Sequence, residues 1–228
     1  MTTVICIDPG HGGDLNGESH VYNEKPVYEK NFNLDIAQFI EAELRKYDGI
    51  EVILTRHDDV NLNFKQRIKF AVDNKADYFI SIHANFLDDP KEKRTGSMIL
   101  VPATHYQPEK SRVPDIYGIG NQLGLSILSK LKKLGVPICK GNENGLIRRI
   151  YEHKKGERCD NYYNDGSAAD KFPIMKQAIE VGIPAIIIKH AYMSTEEDYK
   201  AYLSEWKFLE KLAKADADGI VEALHLRK

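Results

Sequence analysis

The chain opens with an apolar run that stops at turn-forming residues: Thr3-Val4-Ile5-Cys6-Ile7-Asp8, followed by Pro9-Gly10. A short, continuous apolar run bounded in this way predicts a buried strand. A Gly-rich polar loop comes next, and between Glu29 and Tyr47 the apolar residues recur with the period of a helix. The start of the chain therefore predicts a strand, a loop and a helix, in that order.

Segments with the apolar pattern of a strand continue to alternate with segments that have the apolar pattern of a helix. Further strands are predicted at Glu51–Arg56, Tyr78–Ala84, Met98–Val101 and Ala185–Ile188, and further helices at Phe64–Lys75, Tyr117–Leu134 and Glu205–Leu226. Such alternation favours an α/β fold, with helices packed on both faces of a sheet. The segment Lys140–Asp170 shows neither the apolar period of a strand nor that of a helix, which predicts a long loop. Because no repeat or linker divides the sequence, we predict that residues 1–228 form a single domain.

The composition limits the classes of partner. The 228 residues are 42% hydrophobic and 29% charged, and the net charge of −2 provides no field that would attract a nucleic acid. No apolar run approaches the ~20 residues of a membrane span, so no membrane partner is expected. The sequence Met1-Thr2-Thr3 leads directly into the first strand, so no secretory signal peptide is expected in this sequence.

Cys6, Cys139 and Cys159 are too widely spaced for a metal-binding motif.

Three polar residues stand where predicted elements begin or end. His11 follows the first strand, Glu29 opens the first helix, and His83 closes the strand that begins at Tyr78. Ligands of α/β sheets bind outside the carboxyl ends of the strands, so these side chains can converge on one edge. Two imidazoles and one carboxylate would bind one Zn²⁺ and leave a fourth position open for water.

Each of these residues also has an ordinary explanation. A histidine beside a Gly-rich turn is more often a hydrogen-bonding surface residue than a ligand. Glu29 could simply be a first-turn carboxylate favoured by the helix dipole, and His83 could be a satisfied polar residue at a strand end. Spacing alone leaves the two interpretations nearly even.

A series of motifs follows in a fixed order along the chain: Asp8-Pro9-Gly10-His11-Gly12-Gly13, Glu29 with Asn33, Leu54-Thr55-Arg56, Arg67, Ser81-Ile82-His83-Ala84-Asn85, Gly182-Ile183-Pro184-Ala185-Ile186-Ile187-Ile188 and Met193-Ser194. This ordered series resembles the zinc-dependent N-acetylmuramoyl-L-alanine amidases of type 3. It extends over nearly the whole chain. The resemblance implies a twisted, mixed and mostly parallel sheet, with His11, Glu29 and His83 as the ligands of one Zn²⁺. It also implies a monomer that acts on peptidoglycan at the bacterial cell wall, outside the cell.

Lys189 departs from the family pattern. At the end of the late strand the family has a glutamate, which acts as the base that takes a proton from water, whereas this sequence has Ile188-Lys189-His190. The change inverts the charge at the catalytic position and predicts a severely impaired amidase. His190 cannot take over the role of the base if alternation along the strand points it to the opposite face.

Three arrangements of Lys189 are compatible with the sequence. Its side chain could swing into solvent and leave a zinc site without a base. It could lose its proton, since burial and a nearby cation both disfavour a charged amine. Its ammonium could also displace the metal and pair with Glu29.

The remaining predictions concern the ligand. We expect Asn85, Arg148 and Tyr151, with Tyr162 and Tyr163, to contact the acidic peptide of the substrate, although exposed Arg and Tyr are often ordinary surface residues. Two alternative functions stay open. One is a peptidoglycan-binding domain without turnover, which Lys189 favours, and the other is a zinc carboxypeptidase-like hydrolase.

Overall fold

The predicted opening strand lies inside a six-stranded sheet and pairs with a neighbour on each side. A computed structural model describes residues 2–87, 92, 94–139, 142–151 and 161–227. The strands are β1 (Thr3–Pro9), β2 (Ser19–Tyr22), β3 (Lys25–Tyr28), β4 (Ile50–Leu54), β5 (Tyr78–Asn85), β6 (Met98–Leu100), β7 (Leu146–Ile147) and β8 (Ala185–Tyr192). The sheet has the order β4-β1-β5-β8-β6-β7, while β2 and β3 form a separate hairpin.

The pairing within the sheet is mixed and mostly parallel, as predicted. Strands β4, β1, β5 and β8 are parallel neighbours, β6 runs antiparallel to β8, and β7 is parallel to β6. The carboxyl ends of the four parallel strands therefore meet at one edge of the sheet, where a ligand site is expected in an α/β fold.

Helices cover both faces of the sheet. They are α1 (Glu29–Leu44), α2 (Phe64–Asp73), α3 (Ile116–Lys133), α4 (Pro173–Glu180), α5 (Glu196–Asp198) and α6 (Trp206–Ala223). Helices α1, α3 and α6 pack together on one face, and α2 packs with α4 on the other. The α/β class and the two flanking helical layers are thus confirmed. Within the described residues, none of these helices combines the length and the apolarity needed to cross a bilayer.

The opening strand contributes side chains to both cores. Ile5 and Ile7 lie in the core beneath α1, α3 and α6, while Val4 and Cys6 lie in the core beneath α2 and α4. This is the alternation that a strand buried on both faces requires. Cys6 is fully buried, and burial, with the Asp8 charge acting in the same direction, raises the pKa of its thiol well above the ordinary value.

Two short elements differ from the sequence predictions. The hairpin β2–β3 lies in the region expected to be loop, and its turn residues Asn23 and Glu24 have φ angles of 49° and 63°. Most of its side chains are exposed or only partly buried, so it lacks the apolar alternation that predicts strands. The predicted loop Lys140–Asp170 also contains β7, which is too short to produce a period. Residues 140–141 and 152–160 of that segment lie outside the described residues.

Candidate metal centre

The two predicted histidines and the predicted glutamate meet at the carboxyl edge of the sheet. His11 follows β1, Glu29 is the first residue of α1, and His83 lies near the end of β5. The His11 Nε2 atom is 3.0 Å from Glu29 Oε2, and the His83 Nδ1 atom is 2.8 Å from Glu29 Oε1. One potential ligand atom from each residue lies within 4.8 Å of the others. Residues 72 positions apart are thus brought to one point by the parallel pairing of β1 with β5.

Glu29 is held in place by backbone and side-chain donors. Its Oε2 accepts a hydrogen bond from the Glu18 backbone N–H at 3.0 Å, and its Oε1 accepts one from the Ala84 N–H at 3.1 Å. Asn33 lies one helical turn further on, and its amide donates to the Gly10 carbonyl oxygen at 3.2 Å. The side chain of Glu29 is only 2% exposed. Its orientation is therefore fixed independently of the two imidazoles.

The protonation states suit a divalent cation. Burial would raise the pKa of Glu29, but hydrogen bonds and charge interactions with His11 and His83 hold it well below its ordinary value. Burial lowers the pKa of His83, and the Lys189 charge adds to this effect while Glu29 opposes it. An ionised carboxylate beside a neutral imidazole is the form in which these groups bind metal ions.

Two glycines leave the space that the ligand side chains occupy. A Cβ atom at Gly10 would lie 2.3 Å from Cε1 of His83. A Cβ atom at Gly17 would lie 2.5 Å from Cδ2 of His11 and 2.6 Å from Oε2 of Glu29. Gly17 also has a φ of +68°, which side chains disfavour. The Gly-rich loop thus forms a cradle around the His–Glu–His group, and the residues present fit one Zn²⁺ in their number and their chemistry.

Buried arginines fix the loop that carries His11. The Arg67 guanidinium donates to the carbonyl oxygens of Pro9 and His11, each at 2.8 Å, and to Oδ1 of Asp8 at 2.7 Å. Arg56 donates to the carbonyl oxygens of Pro9 at 3.0 Å and of Gly10 at 2.9 Å. His11 itself has a left-handed φ of 60°, so its backbone needs such external support.

The Asp8 carboxylate accepts a hydrogen bond from Arg67 and so helps to orient the guanidinium group. Burial alone would raise the pKa of this carboxyl, but the Arg67 charge and hydrogen bonds from Thr55, Arg67 and Ser81 hold it below its ordinary value. The motif residues Arg56 and Arg67 were noted in the sequence without a role. Their function as supports of the loop could not be derived there, because they bind backbone atoms distant in sequence.

Lys189 lies beside the His–Glu–His group. It pairs with His83 in the register of β5 and β8, and its Nζ donates to the Ala84 carbonyl oxygen at 3.4 Å. Its side chain is partly buried and lines the metal cleft, so it does not swing away into solvent. Among the described ion pairs, Glu29 has His11 and His83 as partners and none with Lys189. The third arrangement, an ion pair between Lys189 and Glu29, is therefore not formed, because the two carboxylate oxygens of Glu29 face the imidazoles of His11 and His83.

His190 lies on the opposite face of β8, as its alternation predicted. It is fully buried, and its Nε2 atom is 2.6 Å from Oδ2 of Asp216 in α6. Burial raises the pKa of Asp216, although the His190 charge and hydrogen bond oppose the change. His190 is thus part of the core beneath α6 and has no access to the metal cleft.

The cleft around the ligand group has a volume of about 480 Å³. Its polar lining residues include Asp8, His11, Glu18, Glu29, Ser81, His83 and Lys189. Its apolar lining residues are Leu15, Leu62, Phe64, Phe172, Pro173, Ile174 and Ile187. Leu15 and Phe64 are about half exposed, at 51% and 47%. The site is thus an open groove with both polar and apolar lining residues.

The residues that the sequence predicted to contact the substrate do not all lie in one cleft. Asn85 and Arg148 line a second cleft that also contains Lys189, but Asn85 is only 3% exposed and its amide donates to the Gly96 carbonyl oxygen at 3.3 Å. Tyr151 and Tyr162 are exposed at 44% and 46%, on either side of residues 152–160. The expectation for Tyr163 is wrong. Its ring is 3% exposed, and its hydroxyl donates to Asp170 at 2.8 Å, because this part of the predicted loop packs back against the α4 side of the sheet.

The fold and the site together define an α/β domain with a His–Glu–His group at the carboxyl edge of its sheet that could hold a metal ion. The family model described as N-acetylmuramoyl-L-alanine amidase matches residues 5–222, and the chain belongs to this family.

Several known proteins resemble the chain over most of its length. AmiA, an N-acetylmuramoyl-L-alanine amidase of Escherichia coli (strain K12), is 24% identical over 233 residues, which cover 97% of this chain and 76% of AmiA. The endolysin of Bacillus phage SPP1 is 24% identical and is matched over 100% of this chain and 68% of its own length. The catalytic domain of CwlV, an amidase from Paenibacillus polymyxa var. colistinus, is 27% identical with a TM-score of 0.70, covering 99% of this chain and 100% of that domain.

The match to some relatives is shorter. The probable amidase AmiB of Haemophilus influenzae is 36% identical over 96 residues, which are 42% of this chain and 22% of AmiB. The chain spans 52% of the length of AmiC from Escherichia coli O6:H1, to which it is 25% identical.

Proposed function

We propose that this domain binds one Zn²⁺ through His11, Glu29 and His83 and is directed at the amide between N-acetylmuramic acid and L-alanine of peptidoglycan. We further propose that its hydrolysis of that amide is severely impaired. The observation that carries the second part is the position of Lys189, which lies opposite His83 and lines the same cleft. Family membership and the ligand geometry support the first part.

The chain's own residues supply the binding site and its shape. Glu29 and the two histidines would hold the ion, and Arg56 and Arg67 keep the His11 loop in position. When bound, Zn²⁺ supplies a Lewis acid that polarises an amide carbonyl and acidifies water. Apolar side chains such as those of Leu62 and Ile174 line part of the groove.

Lys189 cannot do what the family carboxylate does. A general base must accept a proton, and an ammonium group only donates hydrogen bonds. In this structure the Lys189 amine donates to the Ala84 carbonyl oxygen. His190 does not take the place of the base, since it is buried behind the strand beside Asp216. A correctly placed general base contributes about 10²- to 10⁴-fold to the rate of such reactions.

Hydrolysis and metal content test this proposal together. We expect the purified chain to bind one Zn²⁺ and to release dye from labelled peptidoglycan at a rate close to background. The Lys189→Glu protein should be at least ~100-fold faster, and its products should carry new L-alanine N-termini. Equal release by the two proteins would contradict the impairment. Failure to bind Zn²⁺ would contradict the metal centre itself.

The second candidate function is a peptidoglycan-binding domain without turnover, and Lys189 is the observation that favours it. Co-sedimentation of the unaltered chain with insoluble cell wall, in the absence of product release, would support this role. A zinc carboxypeptidase-like hydrolase would instead release a terminal amino acid, so analysis of the Lys189→Glu products separates it from an amidase.

The proposal also covers the substrate contacts, the oligomeric state and the place of action. Asn85, Arg148 and Tyr151 would contact the peptide part of the substrate, and the domain would work as a monomer at the bacterial cell wall. The activities named for the amidase and endolysin relatives support this location. Alanine substitutions at these three positions should weaken binding to cell wall, and light scattering would test the monomer.

A further inference from the structure

A buried His–Asp pair lies on the face of β8 opposite the metal cleft. The Nε2 atom of His190 is 2.6 Å from Oδ2 of Asp216 in α6, and both side chains are fully buried. The other carboxylate oxygen of Asp216, Oδ1, is buried and has no hydrogen-bond partner within the described part of the chain. Such a pair costs free energy of desolvation, and apolar residues of similar volume often stabilise a core equally well. Packing alone therefore does not explain the pair.

The second ring nitrogen of His190 connects the pair to a predicted metal ligand. Its Nδ1 atom lies 3.4 Å from the backbone carbonyl oxygen of His83. A carbonyl oxygen can only accept a hydrogen bond, so Nδ1 must carry the proton in this contact. Asp216, on the other ring nitrogen, holds the plane of the imidazole. A chain of hydrogen bonds thus runs from α6 through His190 to the end of β5.

The contact falls at an irregularity in the pairing of β5 with β8. His83 pairs with Lys189 and Asn85 pairs with Tyr192, so β8 advances by three residues where β5 advances by two. Such a β-bulge interrupts the ladder of backbone hydrogen bonds and re-aims the neighbouring side chains. The bulged segment of β8 contains His190, and the ring of this residue supplies a donor for the His83 carbonyl at that point.

The peptide unit between His83 and Ala84 is held at both ends. Its N–H, which belongs to Ala84, donates to Oε1 of Glu29 at 3.1 Å, and its carbonyl oxygen, which belongs to His83, is contacted by His190. Because a peptide unit is planar and rigid, fixing the carbonyl also fixes the direction of the N–H. His190 is thereby linked to two of the three predicted metal ligands without entering the metal cleft.

We propose that His190 and Asp216 are positioning residues for the metal centre, which hold the peptide unit after His83 and, through it, the His83 imidazole and the Glu29 carboxylate. The inference rests on the proposed function in one respect, because the group that is positioned is the one assigned to Zn²⁺. Residues behind the ligands of a metal ion tune its affinity by fixing the orientation of those ligands. The role is separate from that of Lys189, which lies on the other face of β8.

Metal affinity separates positioning from packing. The double variant His190→Leu/Asp216→Ala replaces the pair by apolar side chains of similar total volume, so the metal-free protein should be at least as stable in urea as the unaltered chain. Its affinity for Zn²⁺, measured by competition with a chelator, should nevertheless fall about tenfold. The visible absorption spectrum of the Co²⁺-loaded protein should also change, because it depends on the geometry of the ligands.

Two further variants serve as controls. Asp216→Asn keeps the shape of the side chain, and its amide can donate to Nε2 and leave the proton on Nδ1, so zinc affinity should stay within about threefold of that of the unaltered chain. Leu131→Ala removes packing at a fully buried position of α3 in the same core. It should lower stability in urea and leave zinc affinity unchanged.

Nitrogen NMR of the unaltered, metal-free chain provides a test that needs no variant. We expect the Nδ1 atom of His190 to carry a proton. A ring protonated at Nε2 alone would overturn the proposal, because it would leave no donor for the His83 carbonyl.

The outcomes distinguish this inference from the proposed function. If the unaltered chain and His190→Leu/Asp216→Ala bind Zn²⁺ equally tightly, with the same Co²⁺ spectrum, the positioning role is refuted and the zinc site stands. An equal loss of zinc affinity in Leu131→Ala would also refute it, because packing alone would then explain the effect. If the unaltered chain binds neither metal ion, the proposed function falls, and the positioning role falls with it.

Discussion

Lys189 lies opposite His83 on the neighbouring parallel strand, and its Nζ reaches the carbonyl oxygen of Ala84 at 3.4 Å. A positive charge is thereby held beside a group of residues suited to a divalent cation. The charge lowers the pKa of His83 in the same direction as its burial does. It disfavours a bound cation by repulsion and provides no base.

Removal of the charge at position 189 should strengthen zinc binding without restoring hydrolysis. In the Lys189→Gln protein we expect the affinity for Zn²⁺, measured by competition with a chelator, to rise about tenfold because the Coulomb repulsion is lost. Dye release from peptidoglycan should stay near background, since glutamine is not a base. Lys69→Gln, on the exposed side of α2, is the control and should leave zinc affinity unchanged. Unchanged affinity in Lys189→Gln would contradict the electrostatic interpretation.

Gly17→Ala should weaken the metal centre. Its Cβ would lie 2.5 Å from Cδ2 of His11 and 2.6 Å from Oε2 of Glu29, so these ligands must move apart. We expect zinc affinity to fall at least tenfold. Gly49→Ala is the matched control, because Gly49 has nearly the same φ, +70° against +68°, but no atom within 4 Å of the added Cβ. Both proteins should lose about 1 kcal/mol of stability from backbone strain, while only Gly17→Ala should lose zinc.

Arg67→Met should destabilise the fold strongly. Its side chain is 4% exposed and pairs with Asp8, which is 2% exposed, so the substitution leaves a buried charge without its partner. We expect the free energy of unfolding in urea to fall by about 3–5 kcal/mol. The double variant Asp8→Asn/Arg67→Met should lose less than the sum of the two single variants, because the two side chains interact. Strict additivity would show that the pair is not coupled.

Asp170 should make stability depend on pH between about 4 and 6. Burial raises its pKa to about 6 from an ordinary 3.8, although hydrogen bonds from Tyr163 and Ala103 oppose the change. The folded protein therefore binds this proton more tightly than the unfolded chain does. The resulting stabilisation is complete below pH ~4 and is lost as the pH rises through ~6. It amounts to roughly 3 kcal/mol at most.

The variant Asp170→Asn isolates this effect. Urea unfolding at several pH values between 4 and 7 should show a decline in stability for the unaltered chain and a smaller decline for Asp170→Asn. Asp48→Asn, at an exposed position, should behave like the unaltered chain. Parallel declines in all three proteins would assign the pH dependence to other groups.

Local signals in the sequence were sufficient for the main elements and for naming His11, Glu29 and His83 as candidates, whereas their assignment as Zn²⁺ ligands came from the resemblance to the family. The buried strands, the long helices and the positions of His11, Glu29 and His83 at element ends follow from apolar runs and turn residues, which act over a few residues. The departure at Lys189 was visible only against the family pattern, which has a glutamate at this position. The hairpin at Ser19–Tyr22 and Lys25–Tyr28 was missed because its exposed faces carry no periodic signal.

The sequence by itself determined the α/β class, the order of the elements and the residue types available at the edge of the sheet. Only the tertiary structure decided that Tyr163 is buried, that Arg56 and Arg67 support the His11 loop, and that Lys189 joins the arginines after β7 in a second cleft. These features depend on strand order and on contacts between residues far apart in the chain. Such contacts are fixed by the packing of the whole sheet and its two helical layers, which a local pattern of residues does not specify.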